Sequence, residues 1–319
     1  AEATVYVNDI PSNQLEKWLD IESERFRTPV FRLFHTELEA VYEEKNRGLD
    51  SDGRKMFEAL LEGLFQKHTY GTQTTIGTIE HLKNPSISEI RKYFKKNYVP
   101  NNMAICMSGD FNPDSVINWV NDKFGAYERK NNTEFTPGVE EPITEPIIKD
   151  VFGPETERVY LGYRFPGVKD RETQVMRIID MVLSNSQAGL IDLNLNQQQK
   201  VLQASCFPYI LTDYSTHILY GSPKQGQSLD ELKDLLTAEV EKVKNGDFPD
   251  WLLPAIISDM KLSKIKIYES NSSRANEFVQ SFIQRIEWKD YVKEMEVLES
   301  ITKEEVMEVA KKYYQDPAR

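Results

Sequence analysis

Only two cysteines and four histidines occur in 319 residues. Cys106 and Cys206 stand far apart and form no Cys-x-x-Cys pair, which excludes a thiolate-bound structural zinc of the finger type. Two buried free thiols are favoured over one disulfide. His35, His68, His81 and His217 form neither His-Glu-x-x-His nor His-x-x-Glu-His, the spacings that set two imidazoles one helical turn apart. No Walker loop, Gly-x-Ser-x-Gly or Gly-x-Gly-x-x-Gly is present, so nothing points to a phosphate cradle, a serine hydrolase or a dinucleotide fold. Asp50-Ser51-Asp52-Gly53 lacks the distant glutamate of a calcium loop and reads as a turn. No apolar run approaches membrane-spanning length. The opening AEATVYVNDIP has neither the basic nor the apolar region of a signal peptide. Positive charge is also short. A net charge of -12 leaves no basic face for nucleic acid and suits a solvated protein of the periplasm or cytoplasm.

What is present is enough apolar material, 39% of residues, to build more than one core, and a length that suits two domains. Residues 131–150 hold three prolines, many acids and no periodicity, so they read as a linker between residues 1–130 and 151–319. Strands are expected at residues 3–8, 104–108, 158–165, 203–212 and 217–221, each β-branched or aromatic and bounded by turn residues. Amphipathic helices are expected between them, with the longest at 229–244, 251–267, 273–286 and 303–313. Strands and helices mix without the glycine-rich turn of a doubly wound sheet, which favours an α+β fold.

An internal repeat is visible. Ser86-Ile87-Ser88 leads through Lys95-Lys96 to Tyr98 and Pro100, and Ser300-Ile301-Thr302 leads through Lys311-Lys312 to Tyr314 and Pro317. Each is a capped amphipathic helix with an aromatic-proline exit. Each half is therefore expected to be one copy of a common domain. The first copy passes into the strand at 104–108, and the second runs to Arg319.

The segment Glu37-Leu38-Glu39-Ala40-Val41-Tyr42-Glu43-Glu44 is acidic and helical. Glu37 and Glu44 share a face roughly 10 Å apart along the axis, so one can be a metal ligand and the other its supporting carboxylate. Ala40 and Val41 between them admit a close neighbour, and Glu43 points away to solvent. By itself such a run is usually a solvated face. His35 and Glu39 sit one turn apart, a spacing more often met in surface contacts, and His68 reads as a loop-packing residue.

In order along the chain come Glu37…Val41…Glu44, His68-Thr69-Tyr70-Gly71, Gly77, Glu80-His81-Leu82, Tyr98, Pro100-Asn101-Asn102-Met103 and Gly109-Asp110. This set resembles the inverted-zincin peptidase family M16, of pitrilysin and insulinase type, over about residues 3–125. Tyr160-Leu161-Gly162 to Phe165-Pro166-Gly167 and the helices beyond resemble that family's second, non-catalytic domain. The resemblance implies two related domains, each a mostly antiparallel sheet packed with helices, the first incomplete, and a second domain possibly short of its last strand. It also implies a zinc-dependent endopeptidase acting on peptides or small proteins, with zinc polarising the scissile carbonyl and supplying hydroxide and substrate lying extended along a sheet edge. By position, Glu44 matches the zinc-ligand glutamate and Glu37 the supporting carboxylate. The family's His-x-x-Glu-His must then lie before Ala1 or be absent. The chain is thus expected to be inactive alone, to bind zinc at Glu44 weakly, to expose an apolar face that promotes self-association, and to need the remaining segments of the same protease. The alternative is a non-catalytic M16-like subunit or scaffold.

Overall fold

Residues 2–131 and 136–315 are described by the structure, a computed structural model. All of its strands among the described residues lie in the second half: Val159–Pro166 (β1), Gln203–Ile210 (β2) and Tyr214–Ser222 (β3). They form an antiparallel three-stranded sheet of order β1-β3-β2. Tyr163 pairs with His217 and Leu161 with Leu219 on one side of β3, and Cys206 pairs with Leu219 on the other.

The first half is helical: Leu15–Arg27 (α1), Phe34–Leu49 (α2), Asp52–Leu64 (α3), Thr69–Thr72 (α4), Ile79–Lys83 (α5), Ile87–Asn97 (α6) and Pro113–Phe124 (α7). The second half adds Arg171–Leu183 (α8), Leu229–Asn245 (α9), Leu252–Glu269 (α10), Asn271–Ile283 (α11), Trp288–Tyr291 (α12), Glu294–Glu299 (α13) and Lys303–Tyr313 (α14). Several starts follow capping chemistry. Ser51, Ser86, Asn112, Ser228 and Thr302 each accept a backbone N–H from the first turn of the helix they open, and Ser228 forms a capping box with Glu231.

Period-2 alternation along β1 and β3 sends apolar side chains to both faces of the sheet. Leu161, Tyr163, Phe165 and Leu219 enter a large core with buried residues of α8, α9 and α14, such as Ile179, Leu236 and Val306. On the opposite face Ile218 meets Leu60, Leu64 and Phe65, and Tyr160, Phe207 and Tyr214 pack around them. The first half therefore covers one face of the second half's sheet. Gly162 makes this approach possible: a β-carbon there would lie 2.9 Å from Leu60 Cδ1 and 3.0 Å from Leu64 Cδ1.

The α+β class and the antiparallel sheet agree with the sequence reading. The strands expected at 3–8 and 104–108 do not form. A strand needs a neighbour to exchange backbone hydrogen bonds, and no other strand lies beside either segment among the described residues. Val5, Tyr6, Val7 and Ile105 are left exposed, and Tyr6 rests edge-on against Phe26. The presumed linker is also more than a tether. Ile143 and Ile147 pack into the smaller core.

The two helices of the repeat agree locally and differ in surroundings. Both end on a tyrosine whose N–H bonds back one turn, Tyr98 to Phe94 and Tyr314 to Ala310. Yet α6 buries no residue, whereas α14 buries Val306, Val309 and Ala310 against α8 and α9. Residues 316–319, with Pro317, lie outside the described residues.

Docking of α14 on α8 is reinforced by Glu172, which accepts from Lys312 Nζ at 2.7 Å and from the Tyr313 hydroxyl. Burial raises the Glu172 carboxyl, but the hydrogen bonds from Lys312 and Tyr313 outweigh it and hold its pKa below the usual carboxylate value. A carboxyl held low in the folded state stabilises above its unfolded pKa, about 4.3, and loses that contribution as pH falls through the folded value. Glu172→Gln should therefore flatten the acid limb of stability below about pH 4–5. Urea unfolding of both proteins across that range checks this, and identical acid limbs would contradict it.

Candidate functional site

The acidic helix of the sequence reading is α2. It starts after Leu33, a left-handed residue with φ 52° that offers no side-chain cap, and Glu37 stands in its first turn. Glu37, Glu39, Glu43 and Glu44 are all exposed, with Val41 half-buried and Lys45 buried beside Glu58. Seven residues of helix separate Glu37 from Glu44, about 10 Å of rise, so they do not share an ion. None of the four histidines joins them. His35 is exposed on α2 itself, and His81 is spent in the capping box that opens α5.

His68 and its neighbours serve the packing of the two halves. Its side chain is 1% exposed, and its Nδ1 accepts the Tyr70 N–H at 3.1 Å. Its Nε2 lies 3.3 Å from Asp213 Oδ2, in the turn between β2 and β3, and the Asp213 N–H donates to the Tyr70 hydroxyl at 3.2 Å. Burial, with a hydrogen bond to Glu2, pushes the Tyr70 phenol upward. Gly71 is forced by crowding: a β-carbon there would sit 2.2 Å from the Phe65 carbonyl oxygen and 2.4 Å from that of Leu61. The loop is held from the strap 136–150 by Glu140, whose side chain is 3% exposed. Glu140 accepts the N–H groups of Gln66, Lys67 and His68 at 3.1, 2.7 and 2.6 Å, and Arg164 Nη1 of β1 lies 3.5 Å away.

Zinc of the family type asks for three protein ligands. Among the described residues a single group brings three candidate donors within 4.8 Å of one another: Asp180, Cys206 and His217. Neither Glu37 nor Glu44 belongs to it. The α2 carboxylates alone do not fit a catalytic zinc.

The group at His217 lies in the large core. His217 Nε2 is 2.9 Å from Asp180 Oδ1, its Nδ1 is 2.6 Å from the Tyr314 hydroxyl, and Cys206 Sγ is 3.5 Å from the Asp180 backbone oxygen. Burial, then the nearby Asp180 carboxylate, raises the Cys206 thiol well above its ordinary value, and burial does the same to the Tyr314 phenol. Both cysteines are free, Cys206 buried and Cys106 only partly so. Composition and spacing missed this cluster. One signal was available: Asp180 follows Met176 and Ile179 on the apolar face of α8, and an acid there needs a buried partner.

A groove of about 910 Å³ runs between α1, the α1–α2 connection and α6, lined by aromatic rings that include Tyr6, Phe26, Phe31 and Phe94. Val30, Leu33 and Tyr93 are exposed nearby.

Comparison with known proteins gives the family. A family model described as the peptidase M16 inactive domain matches residues 86–260, from α6 across the strap and sheet into α10. The chain belongs to peptidase family M16. It is 24% identical over 218 residues to the zinc protease PqqE of Helicobacter pylori, covering 66% of this chain and 49% of that protein. It is 22% identical over 309 residues to the A-factor-processing enzyme of Saccharomyces cerevisiae, covering 92% of this chain and 30% of the enzyme. The chain thus spans about half or less of these relatives. A solved protease from H. pylori superposes with a TM-score of 0.87 at 21% identity, over 95% of this chain and 74% of that one. An M16 inactive domain from Pseudomonas fluorescens gives 0.80 at 14% identity, over 95% and 73%. The first half of the periplasmic protease PqqL of Escherichia coli gives 0.72 at 14%, over 96% and 69%.

Removing Glu140 would leave three N–H groups without their acceptor and take away the carboxylate that faces Arg164. Glu140→Ala should lose roughly 3–5 kcal/mol, the range for breaking a buried pair, measured by denaturant unfolding. A loss below about 1 kcal/mol, as at an exposed pair, would show that water replaces the carboxylate.

Proposed function

We propose that this chain is part of a zinc-dependent M16 endopeptidase that hydrolyses peptides or small proteins, inactive alone. In this reading residues 1–130 are the later part of the catalytic domain, 131–150 its connection, and 151–319 the second, non-catalytic domain. Glu44 is the zinc-ligand glutamate and Glu37 its supporting carboxylate. The observation that carries the reading is α2, which presents both carboxylates exposed on one helix where a second segment can reach them. That segment, from the rest of the protease, supplies the histidine ligands. Relatives named as a zinc protease and a processing enzyme support the chemistry. No helix among the described residues is long and apolar enough to cross a membrane, and one similar structure is of a periplasmic protease.

A second reading is a non-catalytic M16 subunit that binds or scaffolds a partner. It is favoured by the matched family's description as an inactive domain and by the incomplete donor set at α2.

The two readings separate on the full-length protein. Glu44→Gln should abolish peptide hydrolysis and remove the zinc bound at α2 while far-ultraviolet circular dichroism stays unchanged. Glu37→Gln should weaken both by roughly 10–100-fold, as for a supporting partner of a ligand. Full retention of activity and zinc in Glu44→Gln overturns its role as ligand, whereas no activity in the unmodified protein favours the scaffold.

A further inference from the structure

We propose that Asp180, Cys206 and His217 form a binding site for a thiophilic divalent cation, zinc by its donor chemistry, in the core of the second domain. The three come from different elements, α8, β2 and β3, and their donor atoms converge within 4.8 Å. Tetrahedral zinc with bonds of about 2.0–2.3 Å needs donors about 3.3–3.6 Å apart, so side-chain shifts of about 1 Å close the site. A thiolate and an imidazole select zinc, or cobalt in its place, over calcium and magnesium, which prefer all-oxygen shells.

Tyr314 supplies the support such a site requires. When His217 Nδ1–H donates to the Tyr314 hydroxyl, 2.6 Å away, Nε2 turns its lone pair toward Asp180 Oδ1 at 2.9 Å. Two acceptors then face each other, and a cation joins them. The alternative tautomer fills the same space with a proton on Nε2. Metal binding thus selects between two tautomers of a buried ring, and the tyrosine accommodates both by donating or accepting. The Cys206 thiol releases its proton to solvent on coordination, so uptake liberates protons and weakens as pH falls. Access is from Asp180, whose side chain is 13% exposed while that of His217 is 0% exposed. This site is separate from the α2 carboxylates and stands whether or not the peptidase reading does.

The test uses the full chain stripped of metal and titrated with cobalt(II). Stoichiometric uptake is expected, with a thiolate-to-cobalt charge-transfer band in the near ultraviolet, proton release in weak buffer, and displacement by zinc. The band should be lost in Cys206→Ser and in His217→Gln and persist in the Glu37→Gln/Glu44→Gln double variant. Tyr314→Phe should bind roughly 10–100-fold more weakly. Circular dichroism of the metal-free variants controls for folding. If Cys206→Ser fails to fold, the unmodified chain still decides: cobalt uptake without a thiolate band, or no uptake, overturns the site. A band that survives in Cys206→Ser overturns it as well.

Discussion

A three-stranded sheet with apolar side chains on both faces cannot leave either face in water, and this constraint organises the molecule. The second half covers one face with α8, α9 and α14. Among the described residues it has no helix of its own over the other, and α3 of the first half settles there across Gly162. Everything between the halves follows from that contact. The His68–Tyr70 segment, which begins four residues after α3 ends at Leu64, falls against the β2–β3 turn, and Glu140 closes it from the strap. Arg164 completes the junction by donating to the Leu64 carbonyl at 2.7 Å while it faces Glu140. Burial lowers the pKa of that guanidinium from its usual value, which its carboxylate partner counters.

The large core carries the other unusual feature, a chain of polar groups inside an apolar layer. Such groups are costly unless every one is partnered. Here Asp180, His217 and Tyr314 satisfy one another, with Cys206 against the Asp180 carbonyl. The chain links α8, β2, β3 and the residue that follows α14.

Local signals in the sequence were readable where chemistry is local. Caps at Ser86, Ser228 and Thr302 open helices as their hydroxyls require, and β1 and β2 form where aromatic and β-branched runs stand. The acidic run at 37–44 was legible as a helix, and α2 carries it. What could not be read depends on partners remote in sequence. The segments at 3–8 and 104–108 have strand composition but no strand to pair with among the described residues. His217 meets Asp180 across 37 residues and Tyr314 across 97, and no motif spans such gaps. The repeat at α6 and α14 was legible as a capped helix, but its surroundings were not, because burial is a property of what lies opposite.

The strap at 136–150 changes what the covalent connection between the halves means. Ile143 and Ile147 are wedged into the interface core, and Glu140 is bonded to loop and sheet alike. The segment behaves as mortar rather than as a hinge. Swinging one half away would strip an apolar sheet face and expose a carboxylate-guanidinium pair together. A chain cut near its exposed stretches would keep both pieces in register, since what joins them is mostly not the peptide bond.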